Sequence, residues 1–233
     1  MPAYRLTVAY DGTDFHGWAA QPGLRTVAAE LAGALEVAPR ELTVAGRTDT
    51  GVHAEANVVS LAAPRLIPVR AINRRLPRDL AVVDAAEAAD GFDARRDARA
   101  RSYAYRITTA AVPDPLRARY ELHHPRPLDP AALAACAAAI TGTHDFTAFT
   151  PTETEHVHFD RTVLSANWHA DGDQLEFRIT ADAFLRHMVR VLVGTMLERP
   201  DADRLTALLG GMPRSEAGRT APPHGLTLTS VAY

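Results

Sequence analysis

The segment AGRTDTGVHA, residues 45–54, places the polar run RTD at 47–49 between two glycines. Strand-forming residues flank it, with LTVAG at 42–46 before it and ANVVSLAA at 56–63 after it. A loop between two strands reaches the edge of a sheet, and glycines there allow close approach of a ligand. The sequence therefore predicts an exposed carboxylate at a sheet edge, in a loop that is unusually rich in functional groups.

The rest of the first half is predicted to be a mixture of strands and helices around this loop. The predicted elements are a strand YRLTVAY at 4–10, a helix TVAAELAGALEV at 26–37 behind a Thr26 cap, a short helix PVRAINRRLP at 68–77 and a strand LAVVDAAEA at 80–88. Pro77 ends the short helix because proline cannot continue the backbone hydrogen bonds.

The second half repeats this organisation. Its predicted elements are a strand ARSYAYRITTA at 100–110, a helix ending at Gly142, a hairpin at 162–182 that turns at Asp171 and Gly172, a helix AFLRHMVRVLVGTMLE at 183–198 and a final strand GLTLTSVAY. Regular helices do not separate the strands, which argues against a doubly wound parallel fold. We therefore predict an α+β protein of two similar subdomains with mainly antiparallel sheets, covering 1–97 and 98–233.

Composition places the chain among globular proteins with a sizeable core. It has 233 residues, of which 47% are hydrophobic. The single cysteine, Cys136, cannot form a disulfide within the chain. The sequence has no recognisable leader and no apolar run of membrane-spanning length, so we expect a cytoplasmic protein without a membrane partner.

Charge is unevenly distributed along the chain. The net charge is −3, yet residues 65–126 contain 13 Arg against 8 acidic residues, and all 25 basic residues of the chain are Arg. The guanidinium group suits bidentate phosphate contacts and stacking on bases, so this segment is a candidate RNA-binding surface. Compositional drift in a chain without lysine explains the same count and stays open as the alternative.

Asp49 is the candidate reactive group of the opening segment. An aspartate is ionised at neutral pH, and a nearby arginine keeps it so, which suits a nucleophile or a base and not an acid. The alternative is structural: an Asx turn in which Asp49 bonds only to backbone N–H groups, with Arg47 as a solvated partner. The spacing alone leaves both interpretations open.

Several motifs together resemble the TruA family of tRNA pseudouridine synthases. Besides AGRTDTGVHA, they are YDGTDFHGW at 10–18, QPGLRTV at 21–27, INRRLP at 72–77, FDAR at 92–95, ARSYAY at 100–105, HDFTAF at 144–149, RTV at 161–163, FLRHMVR at 184–190 and APPHGL at 221–226. They occur in the family's order and extend over nearly the whole chain, which makes the resemblance specific.

The resemblance implies a reaction and its residues. Such an enzyme detaches uracil from C1′ of a uridine in tRNA and rejoins it through C5, without a cofactor or metal. Asp49 matches the catalytic aspartate, Tyr103 the tyrosine that stacks on uracil near C5, and Arg190 the arginine that pairs with the aspartate. The family's fold places the active-site cleft between its two subdomains.

Further expectations concern substrate binding. The resemblance implies a homodimer with a basic cleft that binds tRNA, with targets at positions 38–40 of the anticodon stem-loop. Arg74 and Arg75 lie in the Arg-rich segment where we expect that cleft. Arg47 and His53 either contact substrate or shape the loop, and Leu226 is expected to form part of the wall around the base.

Other interpretations remain at this stage. The same isomerisation could act on another RNA or on a free uridine nucleotide, and a non-catalytic RNA-binding module is a third interpretation. Tyr103 could be a cross-strand aromatic, and Arg190 a capping side chain. HVHFD at 156–160, with Glu153 and Glu155, lacks the spacing of a metal site, so we expect no metal.

Overall fold

The computed structural model describes residues 1–65, 68–154 and 156–233; Glu155, weighed above for a metal site, lies outside them. The chain forms two compact units. Unit 1 comprises Met1–Arg101 and Thr227–Tyr233, and unit 2 comprises Ser102–Leu226. The end of the chain thus belongs with its beginning, and the division into 1–97 and 98–233 stays a prediction.

The described part of the chain contains ten strands and five α-helices. The strands are β1 (Ala3–Tyr10), β2 (Thr43–Val44), β3 (His53–Ala62), β4 (Leu80–Glu87), β5 (Ala100–Thr108), β6 (Leu122–His123), β7 (Gly142–Asp145), β8 (Asp160–Asp171), β9 (Gln174–Ala181) and β10 (Leu226–Ala232). The helices are α1 (Val27–Leu35), α2 (Val69–Asn73), α3 (Pro130–Ala139), α4 (Met188–Glu198) and α5 (Ala202–Leu208).

In unit 1, β3 is the central strand of the sheet. β1 pairs with it antiparallel on one side and with β4 on its own far side. Two strands pair with the other edge of β3. β10 pairs with it in parallel at His53 and Ala54, and β2 pairs with it antiparallel at Val59 and Ser60. The loop that bears Asp49 joins the two-residue strand β2 to β3, the longest strand of unit 1.

The side chains of β1 alternate between the core of unit 1 and its surface. Every second residue of β1 is buried, namely Tyr4, Leu6, Val8 and Tyr10. α1 begins at its predicted cap, where Thr26 Oγ1 accepts a hydrogen bond from Ala29 N at 3.4 Å. It ends at Leu35, before the predicted Val37, because Glu36 adopts a left-handed conformation with φ of 60°.

Unit 2 contains the strand order β5, β9, β8 and β7, with the short β6 parallel to the end of β5. The predicted hairpin is present as β8 and β9, and Gly172 takes the positive φ of 58° that its turn requires. α3 begins at Pro130, close to the start of the helix predicted at 129–142, with Asp129 as its N-cap, and packs against β8 and α5. Its helical residues stop at Ala139, whereas Gly142 begins β7.

Two further helix boundaries were wrong in the sequence interpretation. The short helix predicted at 68–77 ends at Asn73 and is not stopped by Pro77. The predicted helix at 183–198 begins only at Met188, because His187 adopts the left-handed conformation with φ of 63°. Phe184 and Arg186 therefore precede the helix and do not form its first turn. Met188, Val191 and Leu192 are buried.

The predicted fold class is confirmed. Helices and sheets are mixed, and the pairs β1–β3, β1–β4, β2–β3, β7–β8 and β8–β9 are antiparallel. Parallel pairing occurs at β3–β10 and β5–β6. The architecture is a mostly antiparallel α+β fold.

Candidate active site

The Asp49 segment alternates between inward and outward side chains. Thr48 is buried, whereas its neighbours Arg47 and Asp49 are exposed and half-buried, respectively. This is the pattern of an extended chain, in which successive side chains point to opposite sides. Asp49 is therefore partly accessible to solvent, whereas the residue before it is buried in unit 1.

The start of the segment is held by a buried arginine. Arg101, only 8% exposed, donates to the carbonyl oxygen of Ala45 from Nε at 3.1 Å and from Nη2 at 3.0 Å. The same guanidinium donates to the carbonyls of Ala98 and Arg95. The N–H of Ala45 in turn donates to Val58 O at 2.8 Å, so both polar groups of this residue's backbone are bonded.

The middle of the segment rests on buried side chains of β1 and β3. Asn57 Nδ2 donates to Gly46 O at 2.8 Å and to Tyr10 Oη at 3.2 Å. Tyr10 Oη lies 2.8 Å from Thr48 Oγ1. Burial raises the pKa of Tyr10 to about 12, so its phenol remains a neutral hydrogen-bond donor at physiological pH.

The loop after β1 packs on the Asp49 segment backbone to backbone. Trp18 N donates to Thr48 O at 3.0 Å. A Cβ on Gly12 would lie 2.0 Å from Val52 O, and one on Gly17 would lie 2.9 Å from Thr48 O. The glycines in the YDGTDFHGW motif therefore permit a contact that any side chain would block.

Arg25, in the QPGLRTV motif, holds this loop from outside. Its guanidinium forms two hydrogen bonds of 2.8 Å with the carboxylate of Asp79 and lies 4.1 Å from the centre of the Phe15 ring. The hydrogen bonds from Arg25 hold the pKa of Asp79 below its ordinary value. The pair thus remains ionised at neutral pH and stabilises the position of the loop.

His53 is a buried residue of the same part of unit 1, next to the loop after β1. Its side chain is 4% exposed, and Gly12 N donates to Nδ1 at 3.0 Å. Asp11 Oδ1 also lies 3.2 Å from this nitrogen. Of the two roles expected for His53, this geometry favours shaping the loop.

The two arginines predicted to bind substrate differ in their surroundings. Arg74 is the C-terminal cap residue of α2 and is exposed. Arg75 Nη1 lies 3.1 Å from Ala34 O and 3.1 Å from Glu36 Oε1, at the end of α1. Arg75 therefore stabilises the C-terminal end of a helix, where a cation is favoured.

In unit 2, Arg190 is fixed against the APPHGL motif. Its Nε donates to Ala221 O at 2.8 Å, and Ala221 N donates back to Arg190 O at 3.0 Å. One turn further along α4, a Cβ on Gly194 would lie 1.8 Å from Arg219 O. The glycine lets this segment lie directly on the helix.

Tyr103 and Leu226 are both buried in unit 2, at 8% and 5% exposure. The Tyr103 ring packs edge-on against Phe184 with centroids 5.1 Å apart. Tyr105, two residues along the same face of β5, donates from Oη to Pro222 O at 2.8 Å. Segment 221–226, which ends at Leu226, is thus bonded to both β5 and α4.

Comparisons with known proteins agree with these motifs. A family model described as tRNA pseudouridine synthase matches residues 136–233. The chain is 41% identical over 246 residues to tRNA pseudouridine synthase A of Moorella thermoacetica, with 100% of both chains covered. It is 40% identical to the Halalkalibacterium halodurans protein of the same name, over 97% of this chain and 90% of that one. It is 38% identical to the Bacillus subtilis protein of that name, over 98% of each.

The chain belongs to the tRNA pseudouridine synthase A family. Identity of this level over the full length of the relatives confirms the resemblance that the sequence motifs gave. The family is one of isomerases.

The predicted residues of this tRNA pseudouridine synthase family member are divided between the units. Arg47, Asp49 and His53 belong to unit 1. Arg74 and Arg75, at the C-terminal end of α2, belong to the same unit. Tyr103, Arg190 and Leu226 belong to unit 2. Their roles stay predictions.

Sequence reasoning missed the residues that support the Asp49 segment. Asn57 stands in the apolar strand ANVVSLAA, where asparagine is disfavoured, and that departure was the available signal. Arg101 lies inside the ARSYAY motif, but nothing in the pattern distinguishes a buried arginine from an exposed one. Both side chains bond to a backbone carbonyl of the Asp49 segment, and every residue type has such a carbonyl, so the sequence does not reveal these contacts.

Two features are absent from the described residues. Within residues 1–65, 68–154 and 156–233, no three or more His, Cys, Asp or Glu side chains are grouped so that they could hold a metal ion. No helix in that part of the chain is long and apolar enough to cross a membrane.

Proposed function

We propose that this chain isomerises uridine to pseudouridine in tRNA. The reaction breaks the bond between N1 and C1′, forms a bond between C5 and C1′, removes the proton from C5 and leaves a proton on N1. The observation that carries the proposal is the family membership, which extends over the whole chain at 41% identity. No atom is added or lost overall, so this chemistry needs no redox partner.

Asp49 is the proposed catalytic carboxylate. It attacks C1′ or deprotonates the nucleotide during cleavage of the glycosidic bond, and a covalent route would divide one difficult step into two easier ones. The geometry supporting this role is a half-buried aspartate on a segment whose backbone is bonded at Ala45, Gly46 and Thr48. Such preorganisation limits the conformational entropy lost in the reaction.

Tyr103 and Arg190 are the other proposed catalytic residues. Tyr103 stacks on uracil with its hydroxyl near C5, and its edge-on contact with Phe184 supports a fixed ring orientation. Arg190 pairs with the catalytic carboxylate. Its Nε donates to Ala221 O, which holds the guanidinium in a defined position.

The remaining site residues have supporting roles in the proposal. C1′ and C5 are inaccessible in a stacked helix, so the nucleotide must be flipped out at a cost of roughly a few kcal/mol. Leu226 forms part of the wall around the extruded base, and Arg47, exposed beside Asp49, contacts the flanking RNA. His53 acts indirectly, through its hydrogen bond with Gly12.

The proposed RNA surface of unit 1 is the segment 65–78. It contains five arginines and no acidic residue, and all five are exposed: Arg65, Arg70, Arg74, Arg75 and Arg78. A cluster of exposed guanidinium groups attracts phosphates even when the chain as a whole carries −3. Arg74 is the best candidate for a direct contact, since Arg75 is bonded to the end of α1.

The proposal also covers the location of the enzyme, its oligomeric state and its target positions. We place the enzyme in the cytoplasm, acting as a homodimer on uridines at positions 38–40 of the anticodon stem-loop. A free, buried Cys136 is compatible with a reducing compartment. Light scattering after size exclusion tests the dimer, and mapping of pseudouridine in reacted tRNA tests the positions.

Tritium release separates the candidate functions. The wild-type protein is incubated with unmodified tRNA carrying 5-³H-uridine, with an equally labelled unrelated RNA and with labelled uridine monophosphate. We expect release from the tRNA alone. Release only from the unrelated RNA or from the mononucleotide would replace the substrate, and binding of tRNA without any release would make the chain a binding module.

A further inference from the structure

Three buried polar side chains of unit 1 form a hydrogen-bonded chain that ends beside Asp49. Asn57 bonds to Gly46 O and to Tyr10 Oη, and Tyr10 Oη bonds to Thr48 Oγ1. Asn57, Tyr10 and Thr48 are 0%, 4% and 7% exposed. A buried polar network is costly unless every member is bonded, so this one restricts the segment to a narrow set of conformations.

The donors and acceptors of these hydrogen bonds can be assigned from Asn57 onward. Asn57 Oδ1 accepts from Val58 N at 2.9 Å, which directs the amide hydrogens to Gly46 and Tyr10. The Tyr10 oxygen therefore accepts from Asn57 and has its own hydrogen available for Thr48.

Thr48 is consequently held from two directions. Its hydroxyl bonds to Tyr10, and its carbonyl oxygen accepts from Trp18 N at 3.0 Å. That carbonyl belongs to the peptide unit joining Thr48 to Asp49. The peptide plane cannot rotate without breaking one of the two bonds, and its rotation would redirect the Asp49 side chain.

We infer that Tyr10 and Asn57 are positioning residues, which orient the Asp49 carboxylate through Thr48 and Gly46 without touching the substrate. The inference rests on the proposed function, since it takes Asp49 as the reacting group. It assigns a catalytic consequence to the tyrosine of YDGTDFHGW and to the asparagine of ANVVSLAA, both buried in the sheet.

The first test is Tyr10→Phe, which removes the hydroxyl and keeps the ring that packs against Phe15 and Trp18. We expect kcat for tritium release from tRNA to fall about ten- to a hundred-fold, the scale of a misplaced catalytic group. KM should stay within about twofold, because the tyrosine hydroxyl does not touch the RNA. Tyr4→Phe is the matched control: the same strand and face, with 6% exposure, at the opposite end from the Asp49 segment.

A double-mutant cycle separates positioning from general destabilisation. Thr48→Val should lower kcat as Tyr10→Phe does, whereas Thr48→Ser, which keeps the hydroxyl, should restore most of it. Combining Tyr10→Phe with Thr48→Val should cause no further loss, because both remove the same hydrogen bond. Wild-type kcat in either single variant, or losses that multiply in the double variant, would overturn the inference.

Amide hydrogen exchange provides a readout that needs no activity. The N–H groups of Trp18 and Val52 donate to the carbonyls of Thr48 and Asp49. In Tyr10→Phe we expect these amides to exchange about tenfold faster, with no change in Tyr4→Phe. Unchanged exchange would overturn the inference even for an inactive protein. A wild-type protein that releases no tritium from any RNA would instead refute the proposed function.

Discussion

Arg101 and Ala45 are joined by two hydrogen bonds, from Nε and Nη2 of the buried guanidinium to one carbonyl oxygen. The residue that starts the Asp49 segment is therefore fixed by a side chain 56 positions later, at the point where unit 1 ends. The same guanidinium bonds to Ala98 and Arg95, so it also closes the turn before β5. A planar fork with five donors in fixed directions can bond to three carbonyls at once and place two donors on one oxygen.

Replacing Arg101 should destabilise unit 1. Arg101→Met keeps much of the buried aliphatic volume but leaves three carbonyls without this donor, and we expect the free energy of unfolding to fall by about 2–4 kcal/mol. Urea denaturation followed by circular dichroism measures it. Arg99→Met, at an exposed arginine two positions earlier, should change the same quantity by less than about 0.5 kcal/mol. Equal effects of the two variants would contradict the assignment.

Replacing two helical glycines by alanine should change the free energy of unfolding in opposite directions. Gly194→Ala places a Cβ 1.8 Å from Arg219 O, so we expect a loss of at least about 2 kcal/mol in the free energy of unfolding. Gly33→Ala, on the open face of α1 with nothing within 4 Å of the new carbon, should instead stabilise by about 0.5–1 kcal/mol. Thermal denaturation of both variants tests the contrast, and a stable Gly194→Ala protein would contradict the close contact.

The ion pair between Arg25 and Asp79 should contribute acid sensitivity. The pKa of Asp79 is depressed in the folded protein, so its stabilising contribution is complete above the unfolded value, about 3.9. The contribution is lost as the pH falls through the lower, folded pKa. Asp79→Asn should therefore be less stable than wild type at pH 7, by about 1 kcal/mol or less for a part-exposed pair.

The two proteins should converge in stability below the depressed pKa. Urea titrations at pH 7 and at successively lower pH test this, with Asp14→Asn as an exposed aspartate control. A constant difference between wild type and Asp79→Asn at every pH would show that the ion pair is not its source.

RNA binding through the segment 65–78 should be visible in its salt dependence. Arg74→Glu should weaken tRNA binding and reduce the slope of log K against log salt concentration by about one unit or slightly less for each phosphate that is no longer neutralised. Filter binding from low to moderate salt measures both. Arg40→Glu, an exposed arginine outside this segment, is the control for charge reversal. An unchanged slope for Arg74→Glu would move the RNA surface elsewhere.

Local sequence signals predicted most elements of the fold. Alternation located β1, the cap residue Thr26 located the start of α1, and Gly172 located the hairpin turn. These features depend on residues close in the chain, which is why the sequence contains them. The start of α4 was missed because the left-handed conformation of His187 has no comparable signal in residue type.

The support of the site was less predictable than its candidate residues. Asp49 was evident from its motif, whereas its anchoring depends on contacts such as Arg101 with Ala45 and Asn57 with Gly46. These are bonds from side chains to main-chain carbonyls distant in sequence. Residue identity shows that a donor is present, but only the fold shows which carbonyl it reaches.

The central claim is that Asp49 performs the chemistry on tRNA, and Asp49→Asn tests it most directly. The isosteric amide removes the nucleophile or base and adds no bulk. Tritium release from 5-³H-uridine tRNA and the tRNA dissociation constant are measured for the variant and the wild-type protein under the same conditions. If Asp49 performs the chemistry, release falls to background while the dissociation constant changes by less than about threefold, equivalent to under 1 kcal/mol. Release from the variant at close to the wild-type rate would show that Asp49 is not the reacting group.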